Sequence, residues 1–139
     1  MAIEIRLMQD NEASRANDFF NRIYNTNRSF ENFKWEFLDG PDGKAIYVLA
    51  LANDTIVGIQ CAIPLQFMDS TGKLILTAKS EDTLVDPSYR GQKIFERMYE
   101  LLFTECKRTG IHYIWGFTPA LKAFERLGFE VPFKSEQCL

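Results

Sequence analysis

The sequence predicts an α/β (α+β) domain: a mixed, mostly antiparallel central sheet flanked by helices. Three observations carry this. Apolar, strand-like segments at 45–52, 55–68 and 74–85 follow one another with only short turns between them. The apolar period then switches to helical spacing over 92–108. Another strand-like run, 111–117, comes directly after. A helix joining two strands of one sheet makes them parallel, so one parallel pair is expected in a sheet that is otherwise an antiparallel meander.

The elements follow in order. Ile3-Glu4-Ile5-Arg6-Leu7 alternates apolar and polar residues, as a half-buried strand does. Asp10 or Asn11 can cap the next helix, in which Ala16, Phe19, Phe20, Ile23 and Tyr24 recur at helical spacing. Asn25-Thr26-Asn27 breaks it, and Ser29 can cap a second helix over 30–38. Asp39-Gly40-Pro41-Asp42-Gly43 is a turn cluster. Within 55–68, Gly58 and Pro64 mark a bend, a bulge or an edge position. On the helix 92–108, Ile94, Met98, Leu101, Leu102 and Glu105 share one face. Lys107 and Arg108 suit its negative end, and Gly110 terminates it. Pro119 opens a last helix running to Leu127, Gly128 stops it, and 129–133 reads as a short closing strand.

Composition narrows the function. The chain has 139 residues without repeats, low-complexity segments or linkers, so one domain over 1–139 is expected. The stop soon after Phe133 leaves a longer parent chain open. A net charge of -3 argues against a general nucleic-acid-binding surface. Cys61, Cys106 and Cys138 are odd in number and lack metal-type spacing. Neither a disulfide framework nor a zinc site is indicated, and reduced cytoplasmic thiols are the simplest reading. The single histidine, His112, excludes a His-rich metal site and reads as structural or exposed. No apolar run approaches the roughly 20 residues that span a bilayer. The first residues also lack the pattern of a signal peptide. Trp35, Trp115, Phe30, Phe33 and Phe37 read either as core or as the wall of a pocket.

Chemistry concentrates in Leu84-Val85-Asp86-Pro87-Ser88-Tyr89-Arg90-Gly91-Gln92-Lys93-Ile94-Phe95. A strand ends there, a short loop follows, and a long helix begins. The first amides of a helix have no internal partners and carry the positive end of its dipole, which suits a pyrophosphate. Gly91 permits unusual backbone angles and close approach, and Arg90 and Lys93 add cationic charge. Joints of this kind also occur without any ligand.

The segment resembles the cofactor motif of the GCN5-related N-acetyltransferases, which has Arg/Gln-x-x-Gly-x-Gly/Ala after a strand and commonly a preceding Pro-x-Tyr. Leu121-Lys122-Ala123-Phe124-Glu125-Arg126-Leu127-Gly128-Phe129 resembles that family's late helix and Gly-Phe ending, and the element order matches nearly throughout. The resemblance implies a V-shaped cleft between the strand ending near Val85 and the parallel strand 111–117. It implies acetyl-CoA or another acyl-CoA as cofactor, with its pantetheine arm along Leu84 and Val85. The pyrophosphate would lie on Arg90, Gly91, Gln92, Lys93, Ile94 and Phe95. An amine acceptor is implied. Its direct attack on the thioester is favoured over an acyl-enzyme, because no cysteine is convincingly placed as a nucleophile; no metal is implied, and a homodimer is left open.

The sequence departs from the family pattern at three positions. Lys93 and Phe95 stand where the motif has its small residues. Phe124 stands where relatives often carry a Tyr that protonates the departing thiolate, and phenyl cannot donate a proton. Tyr113 is a candidate substitute. Ser80-Glu81-Asp82-Thr83 is unusually polar for a strand beside the core. Alternation puts one of Glu81 and Asp82 in the cleft, and Glu81, sharing a face with Thr83 and Val85, is the preferred general base. Two other functions stay open: a non-catalytic acyl-CoA-binding or regulatory module, and one half of a tandem-domain acyltransferase.

Overall fold

The computed structural model describes residues 2–135. The alternating N-terminal segment forms β1 (Ile3–Leu7), and the three apolar segments form β2 (Ile46–Ala52), β3 (Thr55–Met68) and β4 (Leu74–Val85). With β5 (Tyr113–Trp115) they make a five-stranded sheet in the order β1-β2-β3-β4-β5. Every neighbour pair is antiparallel except β4 and β5, which run parallel. The expected meander and crossover are both present.

Period-two alternation sends successive side chains to opposite sides of this sheet, so each side collects its own core. On one side Val48, Ala50, Ala62 and Ala78 lie under α3 (Ile94–Arg108), which buries Ile94, Met98, Tyr99, Leu102 and Cys106. On the other, Leu49, Leu51, Ile59, Cys61 and Leu84 pack with Phe19 of α1 (Ala13–Tyr24). Phe33 of α2 (Phe30–Phe33) and Phe37 complete that layer. α4 (Leu121–Arg126) follows β5.

Several boundaries differ from expectation, each for a local reason. The first helix is not capped by Asp10 or Asn11. A 3-10 turn over Asp10–Glu12 precedes it, because the Glu12 carboxylate turns back to accept from the Gln9 amide at 2.9 Å. The helix expected over 30–38 is one α turn capped by Ser29, continuing as a π turn over Lys34–Leu38. That widened turn keeps Phe33 and Phe37 inside and leaves Trp35 75% exposed, so Trp35 is not core. Helix α3 starts at Ile94 rather than Gln92, since Gly91 and Lys93 both adopt positive φ. The segment 111–117 pairs only over its middle three residues. The last helix is shorter than 119–127, and 129–133 forms no strand; Phe129 instead packs on Phe124, Tyr99 and Phe103. The bulge suggested by Gly58 exists: Ala50 pairs with Gly58 and Leu51 with Ile56, leaving Val57 over.

Glu12 fastens β1 to α1. Arg6 grips it in fork geometry, with Nη1 and Nη2 donating to its two oxygens at 2.7 and 2.5 Å. The Arg6 hydrogen bonds hold the Glu12 carboxyl down at about 2 against the opposing push of burial, and the Gln9 amide adds to them. The folded value lies below the ~4.3 of an unfolded Glu, so the stabilisation is complete above pH ~4.3 and lost as pH falls through about 2. Its size is about 3 kcal/mol. Urea denaturation should therefore find Glu12→Gln less stable by about 2–3 kcal/mol at pH 7, with most of the gap to the wild type gone by pH ~2.5.

Candidate active site

The site is built around a break in β4. Leu84 pairs with Ile59 and Glu81 with Cys61, so Asp82 and Thr83 together oppose the single residue Gln60. This is a β-bulge, and Asp82 sits in the left-handed region at φ 51°. The extra residue cancels the alternation. Glu81, paired with Cys61, and Asp82, bonded to Tyr47, both face the α1 and α2 layer. Thr83 and Val85 turn toward α3. The expected common face of Glu81, Thr83 and Val85 does not exist.

Each face of the bulge is held by its own polar set. Arg28 donates from Nη1 and Nη2 to the two Asp82 oxygens at 3.1 and 2.9 Å, and the Tyr47 hydroxyl donates to Asp82 at 2.9 Å. Arg28 is itself placed by Asn17, which accepts from its Nε at 2.7 Å, and its guanidinium lies 3.8 Å from the Phe20 ring centre. On the opposite face the Tyr99 hydroxyl bonds Ser80 at 2.6 Å and Thr83 at 3.1 Å. Gln60 donates to Ser80 at 3.2 Å and accepts from Thr83. Burial pushes the Tyr99 hydroxyl up to about 12, against the pull of those hydrogen bonds.

Beyond this break the sheet opens. β4 and β5 pair only from Thr77↔Tyr113 to Lys79↔Trp115. Gly116 marks the apex: a Cβ there would lie 3.2 Å from the Ser80 carbonyl oxygen, a tight contact that glycine avoids. From Ser80 to Val85 the edge of β4 that faces β5 has no ladder partner among the described residues. The opening is a cleft of about 2160 Å³, larger than the ~300–1,000 Å³ of an ordinary small-molecule pocket and suited to a long ligand. Leu84, Val85, Arg90, Gly91, Lys93, Ile94 and Phe95 line it, whereas Gln92 is exposed and lies outside.

At one end of the cleft stands the N-terminus of α3, a 15-residue helix whose first amides have no helical partner. Lys93 is its N-cap and holds φ 55°, the left-handed conformation that glycine would adopt there at least cost. The Gly→Lys departure thus leaves the backbone path intact and adds a cation beside the amides. Phe95 turns toward α4, its ring centre 5.0 Å from Tyr99 and 5.4 Å from Phe124. Phe124 and Phe129 complete an aromatic box over Tyr99, which is fully buried.

The carboxylates gather at the other end. Glu81 lines the cleft and is paired with Lys79 at 2.8 Å. Glu36, on the π turn, lines the same end with Phe20 and Tyr24. Burial, and then the neighbouring Asp82 and Glu81, push its carboxyl above the usual carboxylate range. Tyr113 lies on the paired stretch of β5 opposite Thr77, four residues and about 13 Å along β4 from Glu81, with its ring 64% exposed. Both line the cleft, at separate points along it. His112 is exposed and its amide bonds Leu76. Cys61 and Cys106 are buried, and burial pushes the Cys61 thiol well up and that of Cys106 to about 11. Neither is an activated nucleophile. Cys138 lies outside the described residues.

Sequence reasoning missed Arg28, Gln60, Tyr99 and Glu36. The polar run 80–83 was the one available signal, and it points at the bulge. Among the described residues no group of three or more His, Cys, Asp or Glu side chains could hold a metal ion, and no helix is long and apolar enough to cross a membrane.

A helix N-terminus set against a split parallel strand pair is the architecture of an acyl-CoA-dependent acyltransferase fold. The chain belongs to the acetyltransferase (GNAT) domain family, whose model matches residues 4–131. No curated protein matches it in sequence. Among solved structures it is similar to a predicted acetyltransferase with acetyl-CoA from Clostridium acetobutylicum, at 16% identity and TM-score 0.80, covering 99% of this chain and 96% of that one. It is also similar to glucosamine-6-phosphate N-acetyltransferase from Arabidopsis thaliana, at 15% identity and TM-score 0.76, covering 100% and 99%. An aminoglycoside acetyltransferase from an uncultured soil metagenomic sample matches at 16% identity and TM-score 0.75, covering 100% and 99%. At these identities the likeness establishes the fold.

Two stability measurements check the local geometry. Lys93→Gly should raise the unfolding free energy by about 0.5–1 kcal/mol by relieving left-handed strain, whereas Lys93→Val should lower it. Asp82→Asn should cost about 3–5 kcal/mol by leaving the Arg28 guanidinium buried without its counter-charge; a loss under ~1 kcal/mol would show that the bulge does not depend on the pair.

Proposed function

We propose that the protein transfers an acetyl group from acetyl-CoA, or another acyl-CoA, to an amine of a small molecule or peptide by direct attack. The observation that supports this most strongly is the retained left-handed Lys93 at the head of α3, beside a β4 edge with no strand partner. A left-handed residue at this point supports a backbone path that glycine would also take. The α3 amides, with Arg90 and Lys93, would hold the pyrophosphate. The open edge from Ser80 to Val85 would bond the amides of the pantetheine arm, as a strand partner would. Phe95 is accommodated against Phe124 and Tyr99 and leaves the head of the helix accessible.

Direct attack is favoured because the described cysteines are buried with raised thiol values. The reaction is R–NH3⁺ plus acetyl–S–CoA giving the acetamide, CoA thiol and one proton. A base at the carboxylate-lined end takes the first proton, and the neutral nitrogen attacks the thioester carbonyl. The C–S bond breaks, the sulfur leaves with the electron pair, and the second amine proton ends on it. Phe124 has no hydroxyl to relay that proton, so it passes from nitrogen to sulfur through solvent.

The second reading, a binding module without transfer, is favoured by Phe124 alone. Calorimetry with acetyl-CoA should give a dissociation constant within the ordinary KM range of about 1 µM to 1 mM, and Arg90→Ala should weaken it about tenfold. Absence of heat at millimolar acetyl-CoA would sink both readings. Binding without thiol release across a panel of primary amines would leave only the second.

A further inference from the structure

The reaction needs a base, because an amine at neutral pH is protonated and an ammonium nitrogen has no lone pair to attack with. Four charged side chains line the acceptor end of the cleft or act on it: Glu36 from the π turn, Glu81 and Asp82 from β4, and Arg28 from the loop before α2. Lys79 stands beside Glu81 on β4.

Two of the three carboxylates are already spent. Asp82 receives both Arg28 nitrogens and the Tyr47 hydroxyl, and its side chain is 5% exposed. Protonating it would strand a buried guanidinium. Glu81 is closed on Lys79 at 2.8 Å, so its oxygen already has a cationic partner. Glu36 has no hydrogen bond or ion pair among the described residues, is half-buried, and faces the cleft beside Phe20 and Tyr24. The π turn that carries it is the kind of local widening that concentrates at functional sites.

We propose that Glu36, rather than Glu81, is the general base that takes the proton from the acceptor amine; this rests on the acetyl-transfer reading above. Its environment suits the task. Asp82 and Glu81 repel its negative charge while Arg28 and Lys79 offset them in part, and burial outweighs both, so its carboxyl binds a proton more readily than an ordinary glutamate. The proton passes from the ammonium nitrogen to a Glu36 oxygen and on to solvent. The freed lone pair attacks the thioester carbonyl, and the C–S electrons leave with sulfur.

The test uses the full chain, saturating acetyl-CoA, and two probe nucleophiles read at pH 7 by thiol release above the protein-free rate. Ethylamine is protonated at this pH and needs a base; hydroxylamine is already neutral and does not. Glu36→Gln should cut transfer to ethylamine by about a hundredfold or more while changing transfer to hydroxylamine less than about threefold. Glu81→Gln should lower transfer to both probes alike, with no selective loss of ethylamine transfer. Equal losses with both probes in Glu36→Gln would mean that the residue shapes the site rather than moving a proton, and would overturn the proposal. A selective ethylamine loss in Glu81→Gln but not in Glu36→Gln would also overturn it, leaving acetyl transfer intact. Thiol release with neither probe by a wild-type protein that binds acetyl-CoA would defeat the transfer reading itself, and this assignment with it.

Discussion

The bulge at Asp82 and Thr83 is the constraint on which the rest of the site depends. Two residues facing one must shed the excess length sideways, which bends the strand and reverses which side chains point where. The ladder to β5 ends just before it, at Lys79↔Trp115, and the two strands then part. A left-handed Asp is costly, of the order of 1–3 kcal/mol, and it persists because its surroundings over-determine it. Arg28 and Tyr47 grip it from one side of the sheet. The hydroxyls of Ser80, Thr83 and Tyr99, with the Gln60 amide, brace the adjoining strand from the other. Among the described residues no buried side-chain polar atom lacks a partner, so nothing at the bulge gains by relaxing.

The same brace joins distant parts of the chain. Arg28 is placed from α1 by Asn17 and Asn21, which bond its backbone as well as its side chain. Tyr99 belongs to α3, whose first turn carries Lys93 and Phe95. The amide end and the carboxylate end of the cleft are thus set by contacts that converge within a few residues of β4. Lys93 illustrates the principle that backbone geometry outlasts residue identity: the left-handed angle is retained, and the cost of a Cβ there, about 1 kcal/mol, is small beside the packing of a 15-residue helix.

Periodicity made the sheet and its parallel crossover legible, because alternation and helical spacing are properties of consecutive residues. The strand–loop–helix joint around 85–91 was legible for the same reason, and its likeness to a cofactor motif came from the family resemblance. The bulge was not. Asp82 reads as one more polar residue in a strand, and only the ladder to β3 reveals that Gln60 has two partners. The consequence for function was direct: a regular strand would have put Glu81 on the face of Thr83 and Val85, and the real one puts it beside Asp82. The π turn was equally hidden. Over 30–38 a helical pattern is present, but the extra width that carries Glu36 to the cleft and Trp35 into solvent comes from packing Phe33 and Phe37 under Arg28 and Tyr47. Phe95 and Phe124 look like separate losses in the sequence, and the structure makes them one contact.

That contact bears on how the leaving group is handled. An aromatic box of Phe95, Phe124 and Phe129 packs around the Tyr99 ring, its hydroxyl is taken up by Ser80 and Thr83, and burial pushes that hydroxyl up to about 12. A thiol is a far stronger acid than that, with a value near ~8.5, so transfer from Tyr99 to a departing thiolate would run uphill by several pK units, on the order of 5 kcal/mol. Tyr99 is therefore a brace and not an acid. On the acetyl-transfer reading, with no hydroxyl at position 124 and a thiolate able to leave without a proton, the demand on the protein shifts to the nucleophile. The free carboxylate at the opposite end of the cleft is where that demand can be met.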